Sequence, residues 1–323
     1  MISEISAIEL SLLGLIQTGF PLEARPFARL AGRLGTSENV IIDELTGLKR
    51  RKLVREIGPV ICPQALGFQT TLVAMTVTVE NLETAENRIA CHPGISHAYI
   101  RENDLNLWVT LATPADGDPA ATVRDLGQAC GADCAISFPA VKTYKLKALF
   151  GAAADTVSPD VPAVAGSLTL TELDRRVINT VQQDLPVEPE PFSGMAAEAG
   201  LETAEFLAMT EALKSRGFIR RYGANINHRK AGYAANAMAC WRAPEEILDR
   251  IGRILAARRE VSHCYSRRSD PRWPYNLYAM IHASSHEECC AVADRVTADS
   301  QIGEAKLLFS SREIKKARNR YYV

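Results

Sequence analysis

In the second half of this chain the basic and histidine chemistry concentrates within eleven residues, where Arg220, Arg221, His228, Arg229 and Lys230 follow one another closely. A second group, Arg267, Arg268 and Arg272, lies just beyond a strand-like run that holds His263. Planar guanidinium groups bind carboxylates through two bonds at once, so the pattern suits a ligand that carries several carboxylates. Tyr222, Tyr265, Tyr275 and Tyr278 are spaced among these cations and offer rings to stack on a flat ligand, or hydroxyls to donate to it. For any single arginine a solvated basic face explains the charge equally well, and Arg272, in a Pro-flanked loop, is the weakest member.

Histidines supply the other chemistry. His97 and His263 each follow a Ser and each precede a Tyr by two residues, which in a strand puts His and Tyr on one face. Neutral imidazole suits iron and titrates near neutrality, so both are candidates for ligating a metal or donating a proton. His228 stands among cations that would keep it neutral and fit for shuttling protons. His282 is read as strand-borne, and a core role suits it equally.

The elements that must position these residues are written twice. Pro26-Phe27 matches Pro191-Phe192 and Leu66-Gly67-Phe68 matches Ala231-Gly232-Tyr233, both at an offset of 165, with Leu53-Val54-Arg55 over Phe218-Ile219-Arg220 between them. Further on, Ser96-His97-Ala98-Tyr99 matches Ser262-His263-Cys264-Tyr265, and Asn106-Leu107-Trp108 matches Asn276-Leu277-Tyr278. In the second copy the apolar period predicts helices over 173–181, 192–199 and 203–216, with a wing strand from Phe218. A split βαβ pattern follows: strand 236–241, helix 244–257, strands 261–267 and 275–283, helix 285–298 and strand 305–310. The expected fold class is α+β: a tandem duplication of winged helix-turn-helix and ferredoxin-like βαββαβ units forming an internal pseudo-dimer. Residues 1–62 and 172–227 are the winged helices and 63–150 and 228–323 the ferredoxin-like units, with an Ala/Pro/Gly/Ser-rich linker at 151–171.

Bulk properties exclude several classes. The 323 residues carry a net charge of -1, which gives no general attraction to nucleic acid. No apolar run is long enough to span a bilayer and the start lacks a signal-peptide pattern, so a cytoplasmic protein with no membrane partner is expected. Eight scattered cysteines suggest neither a disulfide framework nor a zinc site. The third helices carry Glu38, Asp43 and Glu44 in one copy and Glu202, Glu205 and Glu211 in the other, the wrong charge to meet phosphate, so DNA is not an expected partner.

The architecture resembles the Lrp/AsnC family. The runs Arg220 to Tyr233, Asn236-Ala237-Met238, Val261 to Tyr265, Trp273 to Tyr278, Ile281-His282 and Leu308-Phe309-Ser310 resemble the L-type half of fused siroheme decarboxylases. His92 to His97, Asn106-Leu107-Trp108 and Lys142-Thr143-Tyr144 resemble the D-type half. Tyr222 departs from the pattern, which has Phe there. The resemblance implies removal of CO2 from two acetates of siroheme, on the route to d-type haem or to protohaem, with siroheme as substrate and no cofactor. His228, His263 and His97 are then the catalytic candidates, with His263 or His97 also a candidate ligand of the substrate iron and no metal held by the protein alone. Arg220, Arg221, Tyr222, Arg229, Lys230, Tyr265, Arg267, Arg268, Tyr275, Tyr278 and His282 are candidates for binding substrate. The copies are unequal: Pro63-Gln64-Ala65 stands where the second has His228-Arg229-Lys230, so one pocket dominated by the second copy is expected, with His97 in its wall. A homodimer and contacts with other haem-pathway enzymes stay open. The competing readings are a DNA-binding regulator and a tetrapyrrole sensor or carrier.

Overall fold

The computed structural model describes residues 5–146, 169–227 and 235–321, which fall into two compact units. Most of the expected linker, and His228, Arg229 and Lys230, lie outside the described residues. No helix among those described is long and apolar enough to cross a membrane.

One unit holds both helix-turn-helix modules. In the first copy α1 (Ala7–Thr18), α2 (Pro26–Leu34) and α3 (Glu38–Arg50) precede β1 (Val54–Ile61). In the second, the helices Glu172–Val181, Phe192–Glu198 and Thr203–Ser215 precede a strand over Ile219–Ile226. Duplication is visible in individual bonds. Ser6 and Glu9 cap α1 reciprocally, as Thr171 and Asp174 cap its counterpart. Each capping acid is also paired to the end of the third helix, Glu9 to Arg51 and Asp174 to Arg216. The wing strands do not fold back into hairpins. Each pairs antiparallel with the other copy's, Gly58 opposite Gly223, because a lone strand leaves its ladder groups unsatisfied. The exchange is reciprocal elsewhere too: the Phe20 N–H donates to the Tyr222 carbonyl and the Leu185 N–H to the Ile57 carbonyl.

The second unit is a closed barrel of eight strands. Numbering the strands in chain order, with β6 the second wing strand, the first copy gives β2 (Phe68–Val77), β3 (Ile95–Arg101), β4 (Leu107–Pro114) and β5 (Ala132–Leu146). The second gives β7 (Ala235–Trp241), β8 (Val261–Arg267), β9 (Leu277–Ala283) and β10 (Lys306–Lys316). Around the barrel the order is β10, β3, β4, β2, β5, β8, β9, β7. Two strands belong to both copies. The first part of β5 pairs with β2 and its last part with β8. Likewise β10 pairs first with β7 and then with β3. The last strand therefore runs on to Lys316, past the expected end at Ser310, because a second partner takes up its hydrogen bonds.

Alternation divides the barrel's side chains between two environments. Ala98 and Val109 of the first copy, and Cys264 and Ile281 of the second, face outward onto helices. Trp108, Phe138, Met238, Cys240, Trp273, Tyr278 and Leu308 fill the inside. Asn106 and Asn276, which repeat between the copies, are clasps: each amide bonds both the N–H and the C=O of one residue at or just past the end of a strand, Val77 in β2 or Ala243 after β7.

Candidate active site

On β3 and β8 the residues opposite the helix-packed face are His97, Tyr99 and Arg101 in one copy and His263, Tyr265 and Arg267 in the other. Each strand thus presents a His-x-Tyr-x-Arg face. The arginine lies over its own tyrosine in both, with the guanidinium carbon 5.4 Å from the Tyr99 ring centre and 4.7 Å from that of Tyr265. Each donates to a carbonyl of the other copy's strand, Arg101 to Leu308 at 2.6 Å and Arg267 to Phe138 at 2.8 Å. Neither is ion-paired with a carboxylate among the described residues. Burial pushes the Arg101 pKa down to about 10 and lowers that of Arg267. A guanidinium desolvated without an acid partner is a site that favours an anion.

The histidines collect around one lysine. Lys316 stands opposite His97 in the β10–β3 register and acts electrostatically on both His263 and His282. Burial first, then Lys316, Lys145 and Arg267, hold His263 down to about 4. Burial, His263 and Lys316 hold His282 down to about 3. Both rings are therefore neutral at physiological pH. The Ser262 hydroxyl lies 2.8 Å from His263 Nδ1 and 2.8 Å from His282 Nε2. In the first copy Ser96 makes a similar contact, 3.0 Å from His97 Nδ1. A β-bulge before each histidine, between Val261 and His263 and between Ile95 and His97, brings the serine to its ring.

Other expected site residues lie elsewhere. Tyr222 is not a ligand-facing ring: it is 2% exposed, packed between Phe20 and Phe192 in the helix-turn-helix unit, because its strand turns that position inward. Arg220 and Arg221 sit on the same wing strand, contacting Cys62 Sγ at 3.7 Å and the Gln17 carbonyl respectively. Tyr278 is buried inside the barrel, its hydroxyl donating to the Tyr275 carbonyl at 3.1 Å, and burial raises its pKa. Tyr275 is partly buried against Trp273. Arg268 is exposed, and Arg272 is bound to Asp270. Arg101, Lys316 and Ser262 were not among the expected residues. Arg101 was available to inspection, since His97-Ala98-Tyr99-Ile100-Arg101 repeats the spacing of His263-Cys264-Tyr265-Ser266-Arg267.

Three of the cations at the ends of the third helices are held by acids, while Arg50 is exposed. Lys49 is held by Asp184 at 2.9 Å, Lys214 by Glu211 at 2.9 Å and Arg216 by Asp174 at 2.8 Å.

A duplicated barrel with paired helix-turn-helix modules and a cationic, histidine-lined face defines a ligand-binding protein of the AsnC-like class. Residues 65–145 and 230–315 match the AsnC-like ligand binding domain, and residues 9–55 and 174–220 match the siroheme decarboxylase NirDL-like HTH domain. The siroheme decarboxylase of Hydrogenobacter thermophilus is 33% identical over 96% of this chain and 94% of its own length. The NirDL subunit of Paracoccus denitrificans is 31% identical over 94% of both. A separate beta subunit from Methanosarcina barkeri is 40% identical over 46% of this chain. The crystal structure of the siroheme decarboxylase NirDL superposes with a TM-score of 0.74 at 30% identity, covering 98% of this chain and 95% of that one. A second, at 31% identity and the same TM-score, holds an iron-uroporphyrin III analogue. The chain belongs to the siroheme decarboxylase family, in its fused NirDL form.

Proposed function

We propose that this chain decarboxylates siroheme, removing CO2 from two acetate side chains to leave methyl groups. One observation carries the reading: two His-x-Tyr-x-Arg faces, each with an arginine that has no carboxylate partner among the described residues, meet a histidine cluster inside one barrel. A tetrapyrrole bearing acetates and propionates supplies the missing anions, and the tyrosines supply flat contact and hydroxyls. Cleavage of the C–CO2 bond leaves an electron pair on the methylene carbon. The conjugated macrocycle takes up that charge, so the reaction calls for no separate cofactor.

His263 donates the proton that completes the methyl group, and His97 occupies the equivalent place in the first copy. Arg267 and Arg101 hold carboxylates that are retained, fixing which acetate faces a histidine. Nδ1 of His263 is engaged by Ser262, so Nε2 is the nitrogen left for chemistry; among the described residues nothing bonds it.

The test is anaerobic incubation of the purified chain with siroheme and mass analysis of the extracted tetrapyrrole. Loss of two CO2 units is expected. Unchanged siroheme with a shifted Soret band would make the chain a carrier instead. His263→Ala should slow decarboxylation by about 10²–10⁴-fold, the usual contribution of a positioned acid.

A further inference from the structure

We infer that Ser262 and His282 form a proton relay behind His263, so that His263 delivers a proton from Nε2 while both imidazoles stay neutral. The inference rests on the reading of His263 as donor and adds the two residues that recharge it. Ser262 Oγ is 2.8 Å from a nitrogen of each ring. A hydroxyl carries one proton, so it donates to one ring and accepts from the other, and the tautomers of the two rings are locked together. In the loaded state Ser262 donates to His263 Nδ1, which fixes the ring proton on Nε2, and His282 Nε2–H donates to Ser262.

The step balances. The C–CO2 bond breaks, CO2 leaves, and the electron pair left on the methylene carbon takes the proton from His263 Nε2. His263 Nδ1 takes the Ser262 proton, the Ser262 oxygen takes the proton from His282 Nε2, and His282 is reprotonated at Nδ1, the proton coming ultimately from solvent. The reverse passage, with a water proton gained at His263 Nε2 and one released at His282 Nδ1, resets the relay. Each decarboxylation consumes one proton from water, two for each siroheme.

Such a device answers a specific difficulty. His263 is surrounded by burial and cations that keep it from becoming an imidazolium at neutral pH, so a proton must come from the neutral ring. The first copy lacks the device. His97 has its serine, but β3 pairs with β4 as β8 pairs with β9, and where Ile281 is followed by His282, Leu111 is followed by Ala112. Among the described residues no second imidazole stands behind Ser96. The two histidines are therefore unequal donors, with the second copy the faster.

The test is single-turnover decarboxylation of siroheme in mixtures of H2O and D2O, with siroheme affinity read from the Soret band. The wild-type protein should show a bowl-shaped dependence on deuterium fraction, from several protons moving together. Ser262→Ala should lower the rate by about 10²-fold, make that dependence linear and leave Kd within about twofold. Ser262→Thr, which keeps the hydroxyl, should recover most of the rate, and His282→Gln should behave as Ser262→Ala. A linear dependence in the wild-type protein would overturn the relay, as would a Ser262→Ala protein with wild-type rate, or one that loses siroheme affinity in step with rate. Should His263→Ala be inactive while Ser262→Ala is fully active, the donor stands and only the relay falls. Should His263→Ala retain full rate, the donor reading falls first.

Discussion

A guanidinium buried without a carboxylate costs several kcal/mol relative to an apolar group of the same size, and among the described residues this barrel buries one, Arg101, and half-buries another, Arg267. Stability alone does not select such residues. Arg267→Met is accordingly expected to keep or raise the melting temperature while weakening siroheme binding by more than about tenfold, a loss read from the Soret titration. The histidines make a separate statement about acid. His263 and His282 titrate near 4 and near 3 in the folded chain and near their ordinary 6.5 once unfolded. Above that ordinary value neither state binds the proton. As pH falls through the interval the unfolded chain takes up protons that the folded chain refuses, so stability declines. The urea midpoint should drop between about pH 7.5 and pH 5, and drop less in His282→Gln. At this scale the sequence was partly legible. The repeated Ser-His and the Tyr two residues on marked the strands that present the His-x-Tyr-x-Arg faces, because side-chain alternation is local. The Ser262–His282 contact was not legible, since it depends on the β8–β9 register and on a bulge. Tyr222 was misread because its ring packs against Phe20 of the other copy and Phe192 of a neighbouring helix, partners that local spacing does not show.

Helices and strands of the second copy were legible nearly to the residue; the Val261–Arg267 strand has the bounds its pattern predicts. What a single copy's period cannot show is a partner in the other copy, which is why the β1–β6 pairing of the wings and the end of β10 were not foreseen. The wing also explains a residue. Gly223 lies where β6 crosses α1, and a Cβ there would stand 2.7 Å from the Ile16 carbonyl oxygen and 3.2 Å from that of Gln17. Backbone cannot yield as a side-chain tip can. Gly223→Ala should therefore cost about 1–3 kcal/mol, seen as a lower midpoint in thermal or urea melts.

Neither copy can complete its half of the barrel alone, because β5 and β10 each finish in the other copy's sheet. Fragments 1–150 and 169–323 expressed together should form a one-to-one complex that decarboxylates siroheme, whereas each alone should self-associate and be inactive. Size-exclusion chromatography with light scattering distinguishes these outcomes. The same strand exchange sets a timetable for synthesis. Arg101 of β3 must wait for Ser310 of β10, roughly two hundred residues later, and at about 5–20 residues per second a ribosome takes roughly 10–40 s to supply it. Through that interval the nascent chain holds out an open sheet edge, so its exposure to chaperones and to neighbouring chains is governed by translation speed over the second half of the message.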